Sequence, residues 1–274
     1  MRPVCTVDEV FQGIQSAKSG AVDFRTNFFP VRERLHLWIA HGELASVDCQ
    51  GVTFFFRKDR DFWHFYFCAT SLASLQREAT TLSELKTEPM VTDLVGSEPG
   101  LGEMSALLQC AGFRSYARLQ RMARAVRWEE SRSVCEGLQV GLAEKSDGAA
   151  ILNLLERSFN HYAEQLPTQA EVELAIERQQ IFAVKIAANV AGILFFETHG
   201  VTSSLRFWVV DERFRTYRAG SALMLYYFKT QRTVRRFTLW VNTENANAIL
   251  KYGHYGYAQD GLMDHVLANK MIPS

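Results

Sequence analysis

No charge imbalance marks this chain: 30 Lys and Arg residues are matched by 30 Asp and Glu. A protein dedicated to nucleic acid carries a basic excess that displaces counterions from phosphates, so nucleic acid is not an expected partner. Long apolar runs are missing too. No window nears the ~18 uncharged apolar residues that cross a bilayer, so a membrane partner is not expected either. The opening stretch "MRPVCTVDEVFQGIQSAKSG" lacks the apolar core and cleavage site of a secretory leader. Cysteine is scarce and scattered, with Cys5, Cys49, Cys68, Cys110 and Cys135 forming no CxxC pair. An odd, widely spaced set suits neither a disulfide framework nor a zinc site. These absences lead to the expectation of a cytoplasmic protein with reduced thiols and no metal.

What is present is the composition of a folded protein, 47% hydrophobic and 22% charged over 274 residues. That length suits one large or two medium domains. In the N-terminal half a helix precedes "TNFFPVRERLHLWIAHGEL", which has apolar residues at helical spacing. "SVDCQGVTFFFRKDRDFWHFYFCAT" reads as an aromatic-rich hairpin about the charged turn "RKDRD". A helix capped by Ser71, the strand "PMVTDLVG", a helix closing at Gly112 and the strand "RSYARLQRMARAVRW" follow. Residues 124–136, "RAVRWEESRSVCE", are charged and aperiodic and make the best linker candidate.

The second half begins afresh with a strand, a helix start at Ser146 and Asp147, and an amphipathic helix. A hairpin about "AAN", the strand "SSLRFWVV", the helix "AGSALMLYYFKTQR", the strand "RFTLWVN", a short helix "ANAILKYGHYG" and the strand "LMDHVLA" complete it. Both halves thus run helices, hairpin, helix, strand, helix, strand. Both also end with a short apolar helix passing through Gly-aromatic into a strand, at Gly112-Phe113 and Gly256-Tyr257. Duplication of one α/β unit explains this.

Within the second half, "DERFRTYRAGSALML" joins an apolar strand to a helix. A helix N-terminus offers four unpaired N–H groups and about half a positive charge, which a pyrophosphate satisfies. Ala219 and Gly220 leave the backbone accessible, and Arg215 or Arg218 can add charge-assisted bonds. Asn245 fits an N-cap of the short helix. Asp260, Asp264 and His265 hint at a metal, but neighbours on a strand face opposite ways, so they read as solvated polar residues.

Residues 205–257 resemble the core of the GNAT superfamily of acyl-CoA-dependent N-acyltransferases. Its phosphate loop, Arg/Gln-x-x-Gly-x-Gly/Ala, is matched by "RTYRAG", Arg215 to Gly220. Its later block is matched by Asn245, Ala248, Tyr252, Gly256 and Tyr257, one helix and one strand further on. Arg218 stands in place of the first glycine; a positive φ there would cost arginine about 1–2 kcal/mol. The resemblance implies a mixed, mostly antiparallel twisted sheet flanked by helices in each of two α/β domains. It implies acyl-CoA, most simply acetyl-CoA, held by Val209, Val210, Arg215, Arg218, Ala219, Gly220, Ser221 and Asn245. It also implies that Tyr252 points at the sulfur and protonates the leaving thiolate. Many relatives carry an acid on the strand before the loop, and "SSLRFWVV" has none. Glu197 and His199 are the nearest candidates for the base, against a solvated carboxylate, a loop histidine, or proton loss through water.

The N-terminal half has Leu108 where the second has Tyr252, and "FCATSLASLQ" where the second has its phosphate loop. Residues 1–130 are therefore expected to form a degenerate copy, and residues 137–274 the catalytic domain. The run "DFWHFYF" reads as core packing. Expected is acyl transfer to a small-molecule or protein amine, by a monomer or a homodimer. A non-catalytic acyl-CoA-binding or interaction module is the alternative.

Overall fold

The computed structural model describes residues 1–125 and 138–273. Cys135 and nearly all of the linker candidate lie outside them. The chain divides into two compact units, Met1–Gln120 with Gly261–Ser274, and Arg121–Asp260.

The first unit runs β1 (Arg2–Pro3), α1 (Val7–Ser19), β2 (Arg25–Thr26), α2 (Arg32–Ala40), β3 (Leu44–Cys49), β4 (Val52–Asp59) and β5 (Phe62–Ala69). It continues through α3 (Leu72–Thr81), α4 (Glu84–Thr87), β6 (Met90–Ser97), α5 (Glu98–Cys110) and β7 (Phe113–Ala125). Strands β3, β4 and β5 form an antiparallel meander, so the expected hairpin gains a further strand in "LASVDC". The turn is also shorter than expected. Strand β4 runs on through Arg57 to Asp59, because these charged side chains are buried together. Asp59 accepts from Arg60 at 2.6 Å and pairs with the wholly buried His64 at 3.1 Å. Phe54, Phe56, Phe65 and Phe67 fill the core under α3 and α5, as "DFWHFYF" implies.

The second unit, from the far end of β7, runs β8 (Gln139–Leu142), α6 (Gly148–Ser158), α7 (His161–Glu164), α8 (Gln169–Glu177), β9 (Ile181–Ile186), β10 (Asn189–His199) and β11 (Thr202–Val210). Then come α9 (Ala219–Thr230), β12 (Arg236–Asn242), α10 (Ala246–His254) and β13 (Ala258–Asn269). Strands β8 to β11 pair antiparallel, and β11 pairs parallel with β12. One core lies under α9, around Leu223, Tyr227 and Phe237; another lies under α6 and α8, around Ile151, Leu155 and Val172. From residue 262 onward, β13 pairs antiparallel with β6 of the first unit, Leu262 opposite Ser97.

The residues read as solvated are not free in water. Asp260 receives the guanidinium groups of Arg121 and Arg236, at 2.8 and 2.6 Å. Asp264 is enclosed beside Asp93, and burial with that neighbouring charge holds its carboxyl well above the usual range. His265 contacts Ser105 at 3.3 Å. Among the described residues no helix is long and apolar enough to cross a membrane.

The same topology has different fillings. In the first unit β5 and β6 are parallel, paired at Trp63–Met90 and His64–Val91. Beyond that point Asn27 occupies the gap. Its amide donates to Phe65 O, Thr92 Oγ1 and Asp93 O, and accepts Phe67 N–H at 2.8 Å. In the second unit β11 and β12 pair only from Thr202–Arg236 to Leu205–Leu239. Beyond that point lies a cleft.

Candidate functional site

The cleft has a volume of about 1130 Å³ and is walled by the end of β11, the loop to α9, the start of α9, α10 and the end of α6. Asp211, just past β11, organises the loop. Its carboxylate accepts Arg213 N–H at 3.0 Å, capping a 3-10 turn over Glu212–Tyr217. The Arg213 guanidinium binds the same carboxylate at 2.7 Å, and Arg157 of α6 reaches it from across the cleft. These bonds, led by the one to the Arg213 side chain, hold the Asp211 carboxyl far below its usual range despite burial.

Arg218 ends the loop in the left-handed region, φ 59° and ψ 21°, and no side chain caps α9. Gly220 and Ser221 of the first helical turn line the cleft, so uncapped N–H groups lie at its wall. In the first unit the corresponding end of α3 is closed, because Ser71 Oγ accepts Ser74 N–H at 3.1 Å. Gly220 serves a close approach. A Cβ there would meet Trp208 at 3.1 Å, and the Trp208 Nε1–H donates to Gly220 O at 3.2 Å.

In fold the chain is similar to a tandem GNAT protein from the clavulanic acid biosynthesis pathway: TM-score 0.61, 12% identity, 100% of this chain and 98% of that one. It is also similar to a GNAT-family acetyltransferase from Colwellia psychrerythraea, with TM-score 0.55 and 12% identity over 98% of each chain. A GCN5-related N-acetyltransferase from Sphaerobacter thermophilus gives TM-score 0.57 at 12% identity, over 82% of this chain and 78% of that one. No family model matches the sequence, and no curated protein does. The chain carries the GNAT fold in tandem.

On this GNAT fold Val209, Val210, Arg215, Arg218, Gly220, Ser221, Asn245 and Tyr252 all line the one cleft. Ala219 does not; it is fully buried, and its methyl group belongs to the core. Asn245 is the cap of α10, its side chain accepting Ala248 N–H at 3.0 Å, which leaves its NH2 donors at the cleft. Arg215 pairs with Glu212 at 2.8 Å, both exposed. Arg218 has no ion pair among the described residues. Tyr252 is 8% exposed and packs 5.7 Å from the Trp208 ring. Burial first, then the charge of Glu164, holds its hydroxyl above the usual tyrosine range, so it stays protonated.

Glu197 is not brought to the cleft. It is held by Arg206 at 2.8 Å, and His199 lies 4.0 Å from its other oxygen. Sequence reading missed Asp211, Arg157 and Trp208, which line the cleft. An aspartate between a strand and a turn was the available signal for Asp211. Nothing in the chain text pairs Arg157 with a residue 54 positions away.

Proposed function

We propose that the second unit binds an acyl-CoA, in the simplest case acetyl-CoA, and transfers the acyl group directly to an amine. One juxtaposition carries this reading: an uncapped helix N-terminus and a buried, protonated tyrosine share one cleft. The N–H groups at Gly220 and Ser221 suit a pyrophosphate, whose charge the α9 dipole favours. Arg218, which has no ion pair among the described residues, adds a cation, whereas Arg157 and Arg213 are already committed to Asp211 and set the loop's shape. The donors of Asn245 suit the amides of a pantetheine arm. Tyr252 then supplies the proton that a departing thiolate needs. No cysteine among the described residues lines the cleft, which supports direct transfer over a covalent relay. The first unit has no counterpart: Ser71 closes its helix end, Asn27 fills its strand gap, and Leu108 stands in place of the tyrosine.

Acetyl-CoA is expected to raise the melting temperature and to release free thiol when spermidine, lysine, kanamycin or a lysine peptide is offered. Tyr252→Phe is expected to keep the thermal shift and to lose thiol release by about 10²-fold or more. A shift with no turnover across these amines would favour a binding module. No shift at all would end both readings.

A further inference from the structure

Helix α10 carries Tyr252 with little packing of its own to hold it. Of its nine residues, Ala246–His254, Tyr252 is the one that is buried. A helix so short is marginal without outside support, and its placement therefore depends on its two ends. Asn245 fixes the first, its side chain accepting Ala248 N–H at 3.0 Å. At the other end the N–H groups of Tyr255 and Tyr257 return to Tyr252 O, at 2.9 and 3.1 Å, and Gly256 turns the chain toward β13 at φ 83°. These bonds tie the helix end to itself. A bond that ties it to a strand comes from Arg124, whose Nη1–H donates to Tyr255 O at 2.6 Å. Arg124 lies near the end of β7, where the amino-acid sequence marks the start of a linker, yet it is 9% exposed and belongs to the second unit. Its guanidinium lies over the Phe228 ring of α9, 4.2 Å from the centroid. Phe228 in turn meets Tyr255 and Tyr257, with ring centroids 6.2 and 6.3 Å apart. Trp208 stands 5.7 Å from both Tyr252 and Tyr255.

We propose that Arg124 is a positioning residue, which sets Tyr252 in the cleft by holding the end of α10. The inference rests on the acyl-transfer reading and deepens it. Tyr252 and Tyr255 line the cleft and Arg124 does not, so Arg124 acts through the helix and not on the ligand. Its bond meets a carbonyl at the negative end of the helix dipole, where a cation is favoured. Without it the helix end is free to shift, and a proton donor displaced by about 1 Å costs rate. The pyrophosphate is held elsewhere in this reading, at the start of α9, so acyl-CoA binding survives the shift. The segment that leaves the degenerate half thus supplies a part that the second unit's site needs.

The test uses the full chain, acetyl-CoA and the amines named above. Arg124→Met keeps much of the bulk and loses the charge and the donors, whereas Arg124→Lys keeps the charge and a donor. Both are first compared with wild type by melting temperature, and the increment that acetyl-CoA adds should persist in both. Arg124→Met is expected to lower kcat about 10- to 10²-fold with KM for acetyl-CoA unchanged, and Arg124→Lys to recover part of the loss. The deciding comparison is Arg124→Met combined with Tyr252→Phe. Its kcat should match that of Tyr252→Phe alone, because a residue that acts through the Tyr252 hydroxyl then has nothing left to position. Should Arg124→Met not fold, Arg124→Lys serves in the same comparison. A wild-type kcat in Arg124→Met, or losses that multiply in the double variant, would overturn the assignment and leave acyl transfer standing. Failure of both single variants to fold would make Arg124 purely structural and overturn it too. A wild type that acetylates none of the amines would overturn acyl transfer, and this assignment with it.

Discussion

Arg218 holds a conformation that costs an L-residue about 1–2 kcal/mol, at the one point where the chain must turn from loop into an uncapped helix. Glycine would remove that strain but costs roughly 0.5–1 kcal/mol through the unfolded chain's extra freedom. Arg218→Gly is therefore expected to raise stability by about 0.5–1 kcal/mol and, having lost the cation, to weaken the acetyl-CoA thermal shift. The melting temperature without acetyl-CoA should rise while the further increment that acetyl-CoA adds should shrink. If the melting temperature without acetyl-CoA falls, the arginine is structural. Arg218 was legible as the departure in "RTYRAG", since a turn into a helix is a local matter. Asp211 was not, because its role comes from Arg157, which only folding brings near.

At the scale of elements, α9 and α3 are the same piece of the fold with opposite ends: one open onto a cleft, one sealed by Ser71. Seating α9 against β11 requires Gly220, over which the Trp208 indole lies. Gly220→Ala places a methyl 3.1 Å from that ring, and overpacking of this kind costs about 1–3 kcal/mol. Helix propensity returns up to ~1 kcal/mol. The expected outcome is a modest loss of stability, a shifted Trp208 emission and a reduced acetyl-CoA effect. An alanine variant that is more stable with unchanged emission would show that the approach is loose. Helix α9 was legible from periodicity, and α3 and α10 from periodicity and caps. Helices α7 and α8 were not, because "HYAEQLPTQAEVELAIERQQ" is polar and broken by Pro167. The signal that could have found α8 is its capping box, in which Thr168 and Glu171 bond each other's backbones.

At the scale of the whole molecule, the chain's last strand counts with its first unit. Leu262 to Ala268 pair with β6, Met263 and Leu267 enter the first core, and Asn269 accepts Met90 N–H at 3.1 Å and donates to Leu85 O and Glu88 O. Deleting residues 261–274 would strip β6 of these bonds and open that core to water. Hydrogen exchange should then show lost protection over Met90–Ser97, with greater loss there than across β9–β11. Unchanged protection of β6 would mean that the strand is dispensable.

The amino-acid sequence by itself determined the duplicated order of elements, the turn from β11 into α9, and the Asn245 and Tyr252 block. It also determined that the first half has Leu108 in the tyrosine's place and Ser71 at its helix end. These are features of local hydrogen bonding and periodic burial, written within a few turns of chain. Tertiary structure alone decided that Asn27 fills one strand gap while the other becomes a cleft. It alone decided that Asp211 gathers Arg157 and Arg213, and that Arg206 occupies Glu197. Charge pairing and desolvation act through space, and their partners come from distant parts of the chain.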